Sequence, residues 1–372
     1  DQSYIWLYLE NYIHQYFSKF GYKEIKTPTF EDLKFCNLLS DIICDVGIDK
    51  KTYEEIQRMQ SRILGVLNAN FVILRKNSND EFPFGLKMGG YSLHSNFNKM
   101  KTLLEQTLNG FRLNELERID EIVKMHIADM ERSLTQSGHY LAALSADAQL
   151  SSWGAAMEIS NGMSYLKNLK KLRNSKGDLE LDSILKPFQN IKRRIINKSV
   201  SEVLVTSNAI NKKVGSFHSD KIKNLSTLSN IELAKNEFAW LTETDVNFCA
   251  QAFKTVDYRH EDAPVLTVLG AVLRNGYLHT KIREKGGAYG AGAIQDTSSK
   301  TFKFFSYRDP NISETFDAFN SSIEWALKSI TNTHLEEGIL NLISSIDAPS
   351  SPANEALSDF SSNNNSINQK LR

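Results

Sequence analysis

Between Leu116 and Leu134 apolar side chains return every three or four residues: Leu116, Ile119, Val123, Ile127, Met130 and Leu134, with Glu, Arg and Lys between them. That spacing places one apolar stripe along a long helix, and the stripe needs a core to lie on. Met125 and Met130 read as fillers of that core rather than as a partner groove.

The rest of the chain supplies partners for such a helix. Helical spacing recurs over 33–46 (Leu33, Cys36, Leu39, Ile43), ending at Gly47, and again over 52–64, over 96–108 with a stop at Gly110, and over 163–172. Strands are expected at 67–74 and 85–93 around an Asn79-Asp80 turn, and a short one at 203–206. Residues 4–12 read equally as a strand or as the start of a buried helix. A polar Lys/Ser/Asn stretch fills 207–235, and the pattern then restarts: a strand at 246–256, a helix at 262–283, strands at 289–294 and 302–307, and helices at 314–330 and 335–346. The expected fold class is α+β, with long helices on mostly antiparallel sheets in two units, 1–235 and 236–372. A Ser/Asn-rich tail at 361–366 is expected to stand outside any core.

Composition narrows the function. Forty-four basic residues balance forty-four acidic ones in 372, so no global field favours nucleic acid or an anionic membrane. No apolar run approaches the roughly 20 residues that cross a bilayer. Three cysteines, Cys36, Cys44 and Cys249, make no disulfide framework, and Cys36 and Cys44 stand too far apart for a CxxC site. The basic run Lys192, Arg193, Arg194 and Lys198 reads as a solvated helix face. The opening residues look like the middle of a longer polypeptide, so any targeting signal would lie upstream.

Eight histidines offer neither HExxH nor HxxEH; His334-Leu335-Glu336-Glu337 lacks the second histidine, and no metal site is expected in this chain. His139 and His260 read as surface or core-edge residues. There is no G-x-S-x-G elbow. The glycine-rich run 286–293 lacks the Gly-Lys-Ser/Thr ending of a phosphate loop and follows a helix instead of preceding one.

That run remains the most informative on the chain. Leu266, Leu269, Leu273, Tyr277 and Leu278 mark the buried side of the helix before it, with Val272 and Ile282 at the margins. Arg283 falls in its last turn, where a cation suits the helix dipole. Gly286 and Gly287 permit a sharp reversal, and Tyr289 opens the next strand toward the same side. A guanidinium can hold carbonyl or carboxylate oxygens, and a phenol can donate to a carbonyl oxygen as charge develops on it. Composition alone favours a dipole-capping, salt-bridged Arg283 and a core Tyr289.

Residues 278–292, with Arg283, Glu284, Gly286, Gly287, Ala288, Tyr289 and Gly290, closely resemble a signature of the insulinase-like (pitrilysin, M16) zinc metallopeptidases, in the presequence protease and falcilysin branch (subfamily C of M16). Phe305-Ser306-Tyr307-Arg308-Asp309-Pro310-Asn311, Thr315-Phe316 and Ile346-Asp347-Ala348-Pro349 match the same branch in order and spacing; residues 134–153 match more loosely. The resemblance implies the LuxS/MPP-like metallohydrolase fold and the third and fourth α+β units of a four-unit chamber that degrades unfolded peptides. It implies roles for Arg283 as a grip on peptide backbone and for Tyr289 as a carbonyl-polarising catalytic residue, with Gly286 and Gly287 setting their separation. Zinc would be bound by an N-terminal half of the same polypeptide, so this chain alone is expected to be inactive. The last unit is expected to stop before its final helix and strand. The setting implied is intracellular, in the mitochondrion or another organelle. A non-catalytic structural or peptide-recognition subunit of the same superfamily is the alternative.

Overall fold

A computed structural model describes residues 30–73, 84–174, 176–197, 201–202, 216–217, 239–351 and 354. The expectations for 4–12, 203–206, 361–366, the boundary near 235 and the stop near 369 lie outside the described residues.

The first part opens with α1 (Phe30–Asp45) and α2 (Tyr53–Ile63), the latter started by a capping box in which Thr52 and Glu55 satisfy each other's backbone N–H groups. Strands β1 (Val66–Ile73) and β2 (Phe84–Tyr91) pair antiparallel, from Val66 opposite Tyr91 to Ile73 opposite Phe84. Then come α3 (Phe97–Gly110), α4 (Leu116–Asp147), α5 (Ser152–Asn161), α6 (Met163–Lys170) and α7 (Leu181–Asn197). Two-residue strands β3 (Ser201–Glu202) and β4 (Ser216–Phe217) pair antiparallel. One core gathers Leu38, Leu39, Ile42 and Ile43 of α1 with Ile119 and Val123 of α4, Tyr165 of α6 and Phe188 of α7, all sealed from solvent.

The second part is a three-stranded antiparallel sheet ordered β5-β7-β6, from β5 (Ala250–Lys254), β6 (Gly290–Asp296) and β7 (Thr301–Tyr307). Helix α8 (Asp262–Leu273) continues without a break into a π-helix, Arg274–Glu284. Helices α9 (Ser313–Ser329) and α10 (Asn332–Ile346) follow. Leu273, Leu278, Ile282, Phe302, Phe304 and Phe319 form its core. The architecture is α+β, with helices on antiparallel sheets in both regions.

Four expectations need correction. The long helix does not end near residue 134; it continues to Asp147 across a break at Ser137 (φ −132°, ψ 23°). Beyond the break its stripe disappears because it is covered from several sides, by β5 and β7 and by α5 and α6, so small residues replace the apolar repeat. Met125 is 61% exposed, and only Met130 packs against the core. Val272 and Ile282 are core residues, each 2% exposed: α10 covers Val272 where Gly338 lets it approach, and the π turn that follows rephases the helix at Ile282. Lys192 is no solvated cation: its Nζ donates to the Phe111 carbonyl and lies 4.1 Å from the ring centre, while Arg193 is exposed.

The joint between the parts combines an aromatic contact of His139 on α4 with Phe305 and Tyr307 on β7 with a cluster of charges. Lys303 Nζ on β7 lies 2.5 Å from Asp147 Oδ2 at the end of α4 and 2.7 Å from Asp296 Oδ2 on β6. Thr301 Oγ1 donates to Asp147 Oδ1 over 2.5 Å.

Candidate functional site

The site is built where the π-helix ends. The Lys285 N–H donates to the Thr280 carbonyl five residues back, and the wide turn brings Arg283 to the exposed last turn. Two glycines then reverse the chain. A Cβ on Gly286 would meet the Ile282 carbonyl oxygen at 2.6 Å, and Gly287 holds φ +81°, where an L side chain is strained. Replacing Gly287 by alanine should therefore cost about 1–2 kcal/mol of stability, read as a lower midpoint in urea unfolding; an unchanged midpoint would show that the bend needs no glycine.

Loop 308–311 buttresses this bend. Asn311 Nδ2 donates to the Gly286 carbonyl at 2.6 Å. Asn311 is itself set by the fully buried Asp309, whose carboxylate accepts from the Asn311 N–H (2.9 Å) and from Thr315 Oγ1 (2.7 Å). The Asp309 backbone exchanges hydrogen bonds with Asn247 (2.8 and 2.9 Å). In the sequence, Asp309 and Asn311 carry no signal of this role beyond the family match and an Asp-Pro-Asn turn.

The bend delivers Tyr289 to the face that carries Arg283. The Tyr289 N–H donates to the Tyr307 carbonyl (3.0 Å) and, at 3.3 Å, to that of Arg308. The residue is 65% exposed, and its ring stands edge-on to Tyr307, centroids 5.4 Å apart. The Arg283 guanidinium carbon sits 5.8 Å from the Tyr289 ring centre, inside cation–π range. The four residues singled out in the sequence thus meet at one turn, and Tyr289 is not a core aromatic. Arg283 Nη1 lies 3.5 Å from His279 Nε2, and His279 in turn faces Glu284 at 3.4 Å. The second tyrosine, Tyr307, packs against His139 (4.8 Å) from α4; burial pulls the His139 pKa down and favours the neutral ring. An exposed guanidinium and phenol on one face suit recognition of peptide carbonyl or carboxylate groups.

Zinc does not fit the described residues. His139 is wedged among aromatic rings, His126 is held by Asp41 and Tyr165, His260 faces Asp262, and His334 caps α10. Among the described residues no three His, Cys, Asp or Glu side chains gather as a metal site. The thiols are also unsuited to nucleophilic work: burial, then Asp45 and Asp41, pushes Cys44 up to about 12, and burial raises Cys249 to about 11. Among the described residues no helix is long and apolar enough to cross a membrane.

The site is thus an exposed Arg–Tyr pair at a two-glycine bend, on a fold of helices packed against antiparallel sheets. A family model for the region associated with subfamily C of the M16 peptidases matches residues 15–172, and "PreP C-terminal domain" matches 236–369. The chain belongs to the presequence protease family, subfamily C of the M16 peptidases, in its C-terminal region. It is 25% identical over 342 residues to the mitochondrial presequence protease of Drosophila melanogaster, across 89% of this chain and 33% of that protein. With the mitochondrial presequence protease of Yarrowia lipolytica the identity is 28% over 280 residues, covering 73% and 28%. The chain thus spans about a third of the length of the curated relatives it matches. A crystal structure of a conserved protein from Enterococcus faecalis V583 shares the fold, with a TM-score of 0.54 at 14% identity over 92% of this chain and 82% of that one.

Proposed function

We propose that this chain is the metal-free, peptide-recognising part of an M16 peptidase of the presequence protease type and does not hydrolyse peptides by itself. The observation that carries the reading is the placement of Arg283 over Tyr289 at 5.8 Å, both exposed at a bend fixed by Gly286, Gly287 and Asn311. Arg283 grips backbone carbonyls or a carboxylate of an extended peptide, and Tyr289 offers its hydroxyl to a neighbouring carbonyl oxygen. Zinc and its ligands belong to an N-terminal part of the same polypeptide, and the mitochondrion is the setting that the relatives' names support. The residues 1–235 and 236–372 act as the third and fourth units of the whole.

The test is a calorimetric titration of the chain with an unstructured peptide of a few tens of residues. Saturable binding is expected, weakened roughly tenfold by Arg283→Ala, with no cleavage products from the chain alone. Binding that is indifferent to Arg283→Ala would remove the basis of the reading.

A second reading gives Tyr289 a catalytic task within the assembled enzyme, as donor to the oxygen of the scissile carbonyl. The exposure of Tyr289, 65% and away from the core, favours it.

A further inference from the structure

The face that carries Arg283 and Tyr289 holds a second cation–tyrosine pair. The Arg308 guanidinium carbon lies 5.3 Å from the ring centre of Tyr307, and Tyr307 meets Tyr289 edge-to-face. The order on this face is Arg283, Tyr289, Tyr307, Arg308. His139 packs against Tyr307 as well.

Arg308 is held in an unfavourable backbone conformation, φ 49°, in the left-handed region that glycine or asparagine adopts at less cost. Its carbonyl faces the Tyr289 N–H, a contact any residue could make, so the backbone alone does not call for arginine here. The side chain must carry the reason. Its one protein hydrogen bond among the described residues is long, from Nη2 to the Thr135 carbonyl at 3.5 Å, which leaves most of the donor fork free. Neither Arg308 nor Arg283 has a carboxylate partner within ion-pair distance among the described residues, whereas Glu284 on the same turn faces His279. Lys281 and Lys285 add positive charge beside Arg283 on a chain whose total charge is zero. The local excess is therefore a property of this lip.

We infer that Arg308, stacked on Tyr307 beside the Arg283–Tyr289 pair, forms a second subsite that binds a carboxylate of the bound peptide. The proposal rests on the peptide-recognition reading above and adds the chemistry the peptide must present. A guanidinium braced by a tyrosine face is oriented in advance and loses little freedom when a carboxylate arrives, which makes it selective for that group over a neutral amide. The carboxylate can come from the peptide's C-terminus or from an acidic side chain.

The experiment uses one unstructured peptide in three forms: free C-terminal acid, C-terminal amide, and internal Glu→Gln with the acid retained. The wild-type chain is expected to bind the form lacking the recognised carboxylate about tenfold more weakly than the parent, and which form weakens identifies the source. Arg308→Gly removes the fork and relieves the backbone, so its thermal midpoint should hold or rise while the preference falls to about one. Arg308→Lys keeps the charge without the fork and should retain part of the preference. Arg283→Ala should weaken all three forms. Preference that survives in Arg308→Gly, or wild-type binding that ignores both carboxylates, overturns this subsite and leaves the peptide-recognition reading standing. Absence of binding for every form overturns both.

Discussion

Lys303→Met is expected to destabilise the fold by about 3–5 kcal/mol, because it strips the cation from the buried Asp147 and from the partly buried Asp296. Methionine matches lysine in length, so packing is nearly preserved and the loss is one of charge. Asp147, 2% exposed, then keeps Thr301 as its side-chain donor, and Asp296 loses the same ammonium. Burial holds the Asp147 pKa above the usual carboxylate range although Lys303 pulls it down; at Asp296 burial also raises, yet the Lys303 ammonium and the Ser298 and Ser299 N–H groups prevail and hold it low. Burial opposes the Lys303 charge, but Asp147 and Asp296 outweigh it and raise its pKa. The signs follow by linkage. Asp296 contributes stability above its unfolded pKa that is lost as pH falls through its folded value. Lys303 contributes stability below its unfolded pKa that is lost as pH rises through its folded value. Asp147, shifted up, works against Asp296 in acid and softens that arm. Urea unfolding followed by tryptophan fluorescence at pH 7 reads the change; a loss under about 1 kcal/mol would mean that water, not Lys303, stabilises the two carboxylates. Because Asp147 ends α4 and Lys303 lies on β7, the same substitution should loosen the joint behind Tyr307 and His139.

Much of this frame was legible in the residues. The helices at 33–46, 52–64, 96–108, 314–330 and 335–346 and the strands at 67–74, 85–93 and 302–307 emerge within a few residues of their expected ends, because apolar residues recur in each at the spacing of its element, even in 335–346, where only Gly338 is buried. What escaped was structure without a one-sided pattern. Helix α4 beyond Ser137 is enclosed by strands and helices, so its apolar repeat dissolves into Leu141, Ala143, Leu144 and Ser145. The π turn carries no composition of its own, and a 3.6-residue reading put Ile282 at the wrong phase, while the cover that α10 gives Val272 is a long-range contact. Strand 246–256 shrinks to Ala250–Lys254, since Asn247 is occupied as an isolated bridge to Asp309. At the site, Arg283, Gly286, Gly287 and Tyr289 were readable because a helix end, a reversal and a strand start follow one another in sequence. Asp309, Asn311 and Arg308 support the same turn from about 20 residues downstream, and only the β6–β7 pairing reveals that neighbourhood.

Tyr289→Phe separates the two readings of the site with the largest functional effect. In a hydrolytically competent assembly containing this chain, the substitution is expected to lower kcat by about 10²–10³-fold with KM little changed, if the phenol donates to an oxygen that gains charge only in the transition state. A donor used for recognition alone stabilises bound substrate and transition state alike, so its loss would raise KM and leave kcat near its wild-type value. The ring contacts separate these cases cleanly. Phenylalanine preserves the edge-on contact with Tyr307 and the face offered to Arg283, and removes only the hydroxyl. Arg283→Lys supplies the comparison: the charge remains, the planar fork is gone, and KM should rise more than kcat falls. Steady-state kinetics on a peptide of fixed sequence, with binding measured independently on the chain, assigns the hydroxyl. If kcat and KM both stay at wild-type values in Tyr289→Phe, the hydroxyl has no part in either step, and recognition at this bend falls to the guanidinium groups alone.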